Sequence, residues 1–366
     1  MLYLILAFLT SVIVTMLVIR FDHLHSHISG DHDLGGVQKF HAHSVPRIGG
    51  LSIMMGMLAV LLAGTIKETQ WFTPFALLIV ASLPAFLGGL IEDLTKKVGV
   101  LMRLGLTMLA ALLGYFLLGA GIVRLDVPYV DLIMQFSVVS LFFTMFAVAG
   151  VANAFNIIDG FNGLSAVVAM MIFAGLAYVS FALGDWFLVI ANMGMIGSCM
   201  GFLLWNYPRG LIFLGDGGAY FVGFMVAELS VLLMARHPSV SIWFPFLLCI
   251  YPVFETLFTI YRRKFVKGVS PGLPDGIHLH TLIYRRVVRL QLGEDVAQYK
   301  VQRNALTAPY LWALSSFAAI PAVIFWDRPY VLLGFVCLFM VSYILLYKMI
   351  VNFKVPAWMV INKDSQ

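Results

Sequence analysis

The chain has 366 residues, 61% of them hydrophobic and 11% charged, with a formal net charge of +5 at neutral pH. So few charges cannot cover a water-exposed surface, which excludes a soluble globular protein. A lipid bilayer is the partner this composition requires, and nucleic acid is not expected as one.

A helix needs about 20 apolar residues to cross the hydrocarbon layer. About eleven such segments follow one another, beginning near Leu2, Ile48, Pro74, Leu104, Leu132, Leu164, Phe187, Gly218, Ile242, Ala308 and Val331. Runs such as Phe75 to Leu90 are apolar throughout and lack the alternation of a barrel strand. The expected fold class is therefore all-α, a polytopic membrane helix bundle of about 11 transmembrane helices forming one integral domain over residues 1–366. The first segment has no basic n-region and no small-residue cleavage site, so it is expected to remain as a span. Lys and Arg in short loops are retained in the cytoplasm. Of the 23 Lys and Arg, only Lys67, Arg124, Arg236 and Arg328 fall on one side of an odd number of spans. That asymmetry predicts a periplasmic N-terminus and a cytoplasmic C-terminus. Cys199, Cys249 and Cys337 show no CxxC spacing and are expected to be small apolar core residues.

The polar chemistry is confined to five segments, about 20–47, 92–103, 153–163, 206–217 and 262–307, all on the predicted cytoplasmic side. The first holds His23, His25, His27, His32, His41 and His43 with Asp22, Asp31 and Asp33, but a polar loop without tetrahedral spacing argues against zinc. The second opens with Glu92 and Asp93 at a span end. A charge at mid-membrane costs roughly 2.5–3.5 kcal/mol, so the pair belongs at the interface. In the third, Asn153, Asn156 and Asp159 recur every three residues and share one face if the preceding helix continues. Gly160 and Gly163 then allow a sharp turn close to a ligand. The fourth contains Phe213-Leu214-Gly215-Asp216-Gly217, with a helix starting just after, whose N–H groups favour an anion. The fifth contains His278-Leu279-His280, two imidazoles on one side of an extended segment, and one short basic helix is expected around Leu282 to Leu290.

Acids, glycine turns and cations on one face suit a Mg2+-dependent reaction on a diphosphate. Mg2+ takes one or two carboxylates and completes its shell with water and phosphates. Lys96, Lys97, Arg103, Arg209, Arg285 and Arg286 could neutralise phosphate oxygens, although each also serves as a cytoplasmic anchor.

The order of these motifs resembles that of the bacterial polyprenyl-phosphate N-acetylhexosamine-1-phosphate transferases, glycosyltransferase family 4. The resemblance rests on Gln38 to His41, Pro46 to Gly50, Glu92-Asp93, Asn153 to Leu164, Phe213 to Gly217 and His278 to His280. It is nearer to the WecA type than to MraY, since MraY-type members carry three histidines in a row. The resemblance implies transfer of N-acetylhexosamine-1-phosphate, with GlcNAc-1-phosphate the favoured case, from a UDP-N-acetylhexosamine to undecaprenyl phosphate. UMP is released, and the product opens synthesis of a lipid-linked cell-surface polysaccharide such as the O-antigen of lipopolysaccharide. It further implies Mg2+, with Mn2+ as a substitute, and an active site on the cytoplasmic face of the bacterial inner membrane.

By the same resemblance Asp216 is the metal ligand, and Asp93, Glu92 and Asp159 are catalytic. Asn153, Asn156, Phe213, His278, His280, Arg285 and Arg47 bind substrate. Glu92 stands where the family has Asp, which predicts a shift from catalysis to support. Thr281 replaces a histidine, with Arg285 or Arg286 compensating. The alternatives are MraY-type transfer of a muramoyl-pentapeptide phosphate and, less favoured, a transporter or flippase. Against transport, the acids are expected at span ends and no repeat is visible. A homodimer is as compatible with so much apolar surface as contact with lipid is.

Overall fold

The computed structural model describes residues 1–30, 45–66, 70–269, 276–288 and 297–353. The expectations for Asp31, His32, Asp33, Gln38 to His41, His43 and Lys67 lie outside the described residues. In hydrocarbon each backbone N–H and C=O needs a partner within the chain, so the apolar runs close into helices. In order these are α1 (Leu2–Arg20), α2 (Asp22–Ser29), α3 (Gly50–Ile66), α4 (Phe72–Thr95), α5 (Val100–Leu118), α6 (Pro128–Met134), α7 (Ser137–Ile158) and α8 (Leu164–Ala182). They continue as α9 (Trp186–Asn206), α10 (Gly215–Arg236), α11 (Trp243–Leu248), α12 (Ile250–Tyr261), α13 (Leu279–Leu282), α14 (Ala297–Ile324) and α15 (Pro329–Val351).

Among the described residues nine helices have the length and apolar composition to cross a membrane: α1, α4, α5, α7, α8, α9, α10, α14 and α15. The chain is a multi-pass membrane protein. All eleven expected segments are helical, but two are not continuous long spans. One is α3, with 17 residues. The other, expected from Ile242, is divided at Cys249 into α11 and α12. Pro252 accounts for the break: it donates no hydrogen bond, and its ring crowds the carbonyl of Leu248, the last residue of α11.

The segment over 262–307, expected as a loop with one short basic helix around Leu282 to Leu290, is largely helical where described. A π-helical turn, Arg262–Val266, extends α12, another, Ile283–Val288, extends α13, and α14 begins at Ala297. Cys199 and Cys249 are buried as expected, whereas Cys337 is exposed on α15, facing the surroundings of the bundle. Among the described residues, two acids lie inside helices and not at their ends. Glu228, fully buried midway along α10, faces Gly114 of α5, and Glu255 is 1% exposed in α12.

α10 is the axis of the bundle. Its residues are buried from Gly217 to Leu233, and it packs against α3, α4, α5, α7, α8 and α9. Small residues bring its first turn against two neighbours: a Cβ on Gly89 of α4 would lie 2.5 Å from the backbone carbon of Asp216. Gly89→Ala is therefore expected to force the helices apart at a cost of about 1–3 kcal/mol, typical of overpacking. Gly99→Ala, with nothing within 4 Å, should leave the thermal midpoint unchanged in the same differential scanning fluorimetry experiment.

Candidate functional site

The close approach at Gly89 puts Asp93, in the last turn of α4, against the start of α10. Asp93 Oδ1 accepts a hydrogen bond from the N–H of Asp216 at 2.9 Å, and Oδ2 accepts one from the N–H of Gly217 at 2.8 Å. The first N–H groups of a helix have no partner within it, and the helix dipole favours negative charge there. An anion at this helix start was expected; the anion in place is the protein's own carboxylate. The Asp93 side chain is 1% exposed.

A second element is held there by main-chain pairing. Phe213 N–H donates to Pro46 O, and Gly49 and Gly50 N–H donate to Phe213 O and Leu214 O. This pairing carries Arg47 between the two acids, with Nε 3.9 Å from Asp93 and Nη2 3.7 Å from Asp216. Gly215 adopts φ +74, and any Cβ there would collide with the Arg47 carbonyl, so only glycine lets these segments meet.

Asp216 is the more accessible acid, with its side chain 14% exposed. Arg103, in the first turn of α5, pairs with its Oδ2, and Asn156 Nδ2 donates to Oδ1 at 2.7 Å. The Arg103 guanidinium also lies 5.6 Å over the Tyr220 ring, whose hydroxyl donates to Asn153 Oδ1 at 3.2 Å. The polar strip of Asn153 and Asn156 thus exists, on the last two turns of α7. Asp159 lies just past the helix end, as its C-cap residue.

Asp159 begins the tight turn to α8. Ser165 Oγ donates to its carboxylate at 2.7 Å. Asn206 and Asn304 brace the turn by accepting from the N–H groups of Gly163 and Asn162. Burial, the largest cause, pushes the Asp159 carboxyl up to about 7, and Asp216 adds to the rise while Ser165 and Arg47 oppose it. A Cβ on Gly160 would meet only His280 Nε2, at 3.9 Å, so this turn opens toward the histidines.

His278 and His280 stack with ring centroids 5.0 Å apart, and His280 meets Phe161 edge-on at 5.5 Å. Glu255 orients the pair. Its carboxylate lies 3.1 Å from His278 Nδ1, and it accepts from Leu279 N–H at 3.2 Å and from the Tyr343 hydroxyl at 2.7 Å. A lone carboxylate in the apolar run Phe254-Glu255-Thr256 was the signal for it. Arg285 is exposed on the turn after the histidines. Arg286 donates to the carbonyls of Ile350 and Val351 and so caps α15. Glu92 accepts from Val98 N–H at 2.7 Å and closes the turn between α4 and α5.

No group of three or more His, Cys, Asp or Glu among the described residues could hold a metal ion as a closed cage. One accessible carboxylate beside an amide fits Mg2+, which leaves several positions for water and phosphate oxygens. Two arginines at that carboxylate suit a polyanionic ligand.

The glycosyl transferase family 4 model matches residues 75–234, the stretch that holds Asp93, Asp159 and Asp216. The chain is 30% identical over 269 residues to an undecaprenyl-phosphate alpha-N-acetylglucosaminyl 1-phosphate transferase of Thermotoga maritima, covering 74% of this chain and 78% of the relative. It is 29% identical to a probable undecaprenyl-phosphate N-acetylglucosaminyl 1-phosphate transferase of Bacillus subtilis, over 66% of each chain. It is 28% identical to a decaprenyl-phosphate N-acetylglucosaminephosphotransferase of Mycolicibacterium smegmatis, over 78% of this chain and 73% of the relative.

Two outcomes follow from this geometry. Asp93→Asn leaves one N–H at the start of α10 without an acceptor, and unfolding measurements should show a loss of about 1–3 kcal/mol. Asp159, whose value lies above the ordinary 3.8, holds its proton longer when folded, so its contribution to stability falls as pH rises from about 4 to about 7 and is level above that. Asp159→Asn removes this slope, and its thermal midpoint should rise relative to the parent across that interval.

Proposed function

Because this chain belongs to glycosyl transferase family 4, we propose that it transfers GlcNAc-1-phosphate from UDP-GlcNAc to undecaprenyl phosphate, releasing UMP, at the cytoplasmic face of the bacterial inner membrane. The observation that carries this reading is the convergence of Asp216, Arg103, Arg47 and Asn156 at one end of the bundle. A lipid-borne phosphate and a soluble nucleotide sugar can meet only at such an end. The charge asymmetry of the loops supports the cytoplasmic side.

In this reading an oxygen of the acceptor phosphate bonds to the sugar-bearing phosphorus of the donor. The bond from that phosphorus to the bridging oxygen breaks, and UMP leaves with the electron pair. One diphosphate linkage replaces another. A phosphate monoester has its second pKa near 6, so the acceptor arrives largely ionised and needs little help from a base. Catalysis then reduces to positioning and charge neutralisation. Asp216 would hold Mg2+, which supplies charge neutralisation on the diphosphate when bound. Arg47 and Arg103 neutralise the remaining phosphate oxygens. Asn153 and Asn156 hold the nucleotide side, and Phe213, beside Arg47, offers a face for the uracil. His278 and His280, with Arg285 on the following turn, contact the donor phosphates, with the imidazoles oriented by Glu255. Asp159 takes or holds a proton at the acceptor. Asp93, already bonded to the start of α10, serves chiefly by fixing the Asp216 carboxylate in place. The lipid-linked product would begin a cell-surface polysaccharide.

The test is incubation of purified protein with undecaprenyl phosphate, Mg2+ and a panel of UDP-N-acetylhexosamines, following UMP and lipid-linked product by mass. UDP-GlcNAc is expected to yield UMP, and Asp216→Asn to lower turnover about 100-fold or more. UMP from no donor, with the protein folded, would overturn the assignment.

A further inference from the structure

A polar cavity lies at the far end of α10. Arg236 is 20 residues beyond Asp216, about 30 Å along the helix, so the cavity faces the leaflet opposite the transferase site. Its volume is about 410 Å³, and it is lined by Trp71 at the start of α4, by Asp185, Trp186 and Phe187 at the start of α9, and by Arg236 and His237.

Its polar wall is organised by one carboxylate. The Asp185 side chain is 3% exposed, and its Oδ2 accepts from Arg236 Nε at 2.5 Å and lies 3.0 Å from His237 Nε2. Its Oδ1 accepts from the N–H of Leu188. Burial raises the Asp185 carboxyl, but the hydrogen bonds from Arg236, His237 and Leu188 outweigh it and hold the group below its ordinary value. The guanidinium is further fixed 5.6 Å over the Phe187 ring. With Nε tied to Asp185, the two terminal nitrogens of Arg236 have no partner among the described residues, and the side chain is 47% exposed. Such a planar fork, held before a ligand arrives, matches the oxygens of a phosphate. Trp71 and Trp186 beside it are of the type that settles at the headgroup level.

We propose that this cavity binds a phosphate group, held by Arg236 and His237, and that the aromatic walls favour a lipid headgroup of the opposite leaflet as its source. Asp185 orients the two donors and does not touch the ligand. The site is independent of the transferase reading, since it shares no residue with the Asp216 cluster.

The experiment is native mass spectrometry of the full chain released from nonionic micelles containing phosphatidylglycerol, alongside titration with inorganic phosphate. The parent should retain phosphatidylglycerol at least five-fold more than Arg236→Gln, while Arg328→Gln, an exposed arginine near the same end, should match the parent. Arg236→Lys keeps the charge and the pairing with Asp185 but loses the fork, and it should also lose retention, with thermal midpoints checking the fold of each variant. Displacement of the lipid by inorganic phosphate would place the contact at the headgroup. Binding of inorganic phosphate without lipid retention would support the site with a soluble anion as its source. Equal retention in the parent and in both Arg236 variants, or binding of neither probe, would overturn the proposal.

Discussion

The bond between the Asp93 carboxylate and the first N–H groups of α10 is the contact on which the site depends. It joins the end of one spanning helix to the start of another and satisfies donors that the helix cannot satisfy itself. It also sets an acid beside the Asp216 carboxylate, which is tolerable because Arg47 lies between the two. Arg47 owes that place to main-chain pairing between the segment before α3 and the segment before α10. Charge, backbone pairing and helix start are thus one construction.

The close packing beneath it gives that construction its rigidity. Gly89 lets α4 lie directly on the first turn of α10, and Gly50 lets α3 do the same. In a bilayer, where lipid competes for apolar contact, small residues that allow backbones to touch are a main source of helix association. The polar groups of the site come from the ends of helices held this way, and the turn at Asp159 is braced by asparagines from α9 and α14. The same helix that presents Asp216 at one end presents Arg236 at the other, so α10 links two polar sites across the membrane thickness.

Much of this was legible in the residues because hydrocarbon leaves few choices. Eleven apolar runs announced eleven helical segments, and the break at Cys249 was written in Pro252. The carboxylates Asp93, Asp159 and Asp216 were visible as acids at span ends, and they do gather. What could not be seen was who bonds to whom. Asp93 reads like a reacting group in sequence, and only its contact with α10 shows both oxygens occupied. Arg103 looked like one anchor among many until the bundle placed it on Asp216. Glu255 sits in an apolar run with no motif around it, and its bond to His278 spans 23 residues, a distance that periodicity does not reach. Arg286 looked like a replacement for a missing histidine and is instead spent on the carbonyls that end α15.

The central claim is that the acids position, that the arginines and a bound Mg2+ would neutralise, and that no side chain attacks phosphorus. Exchange of isotopically labelled UMP into UDP-GlcNAc, measured on delipidated protein with Mg2+ and no polyprenyl phosphate, tests this directly. Direct transfer to the lipid predicts no exchange until undecaprenyl phosphate is added. Exchange in its absence would require a covalent sugar-phosphate enzyme and would contradict the account.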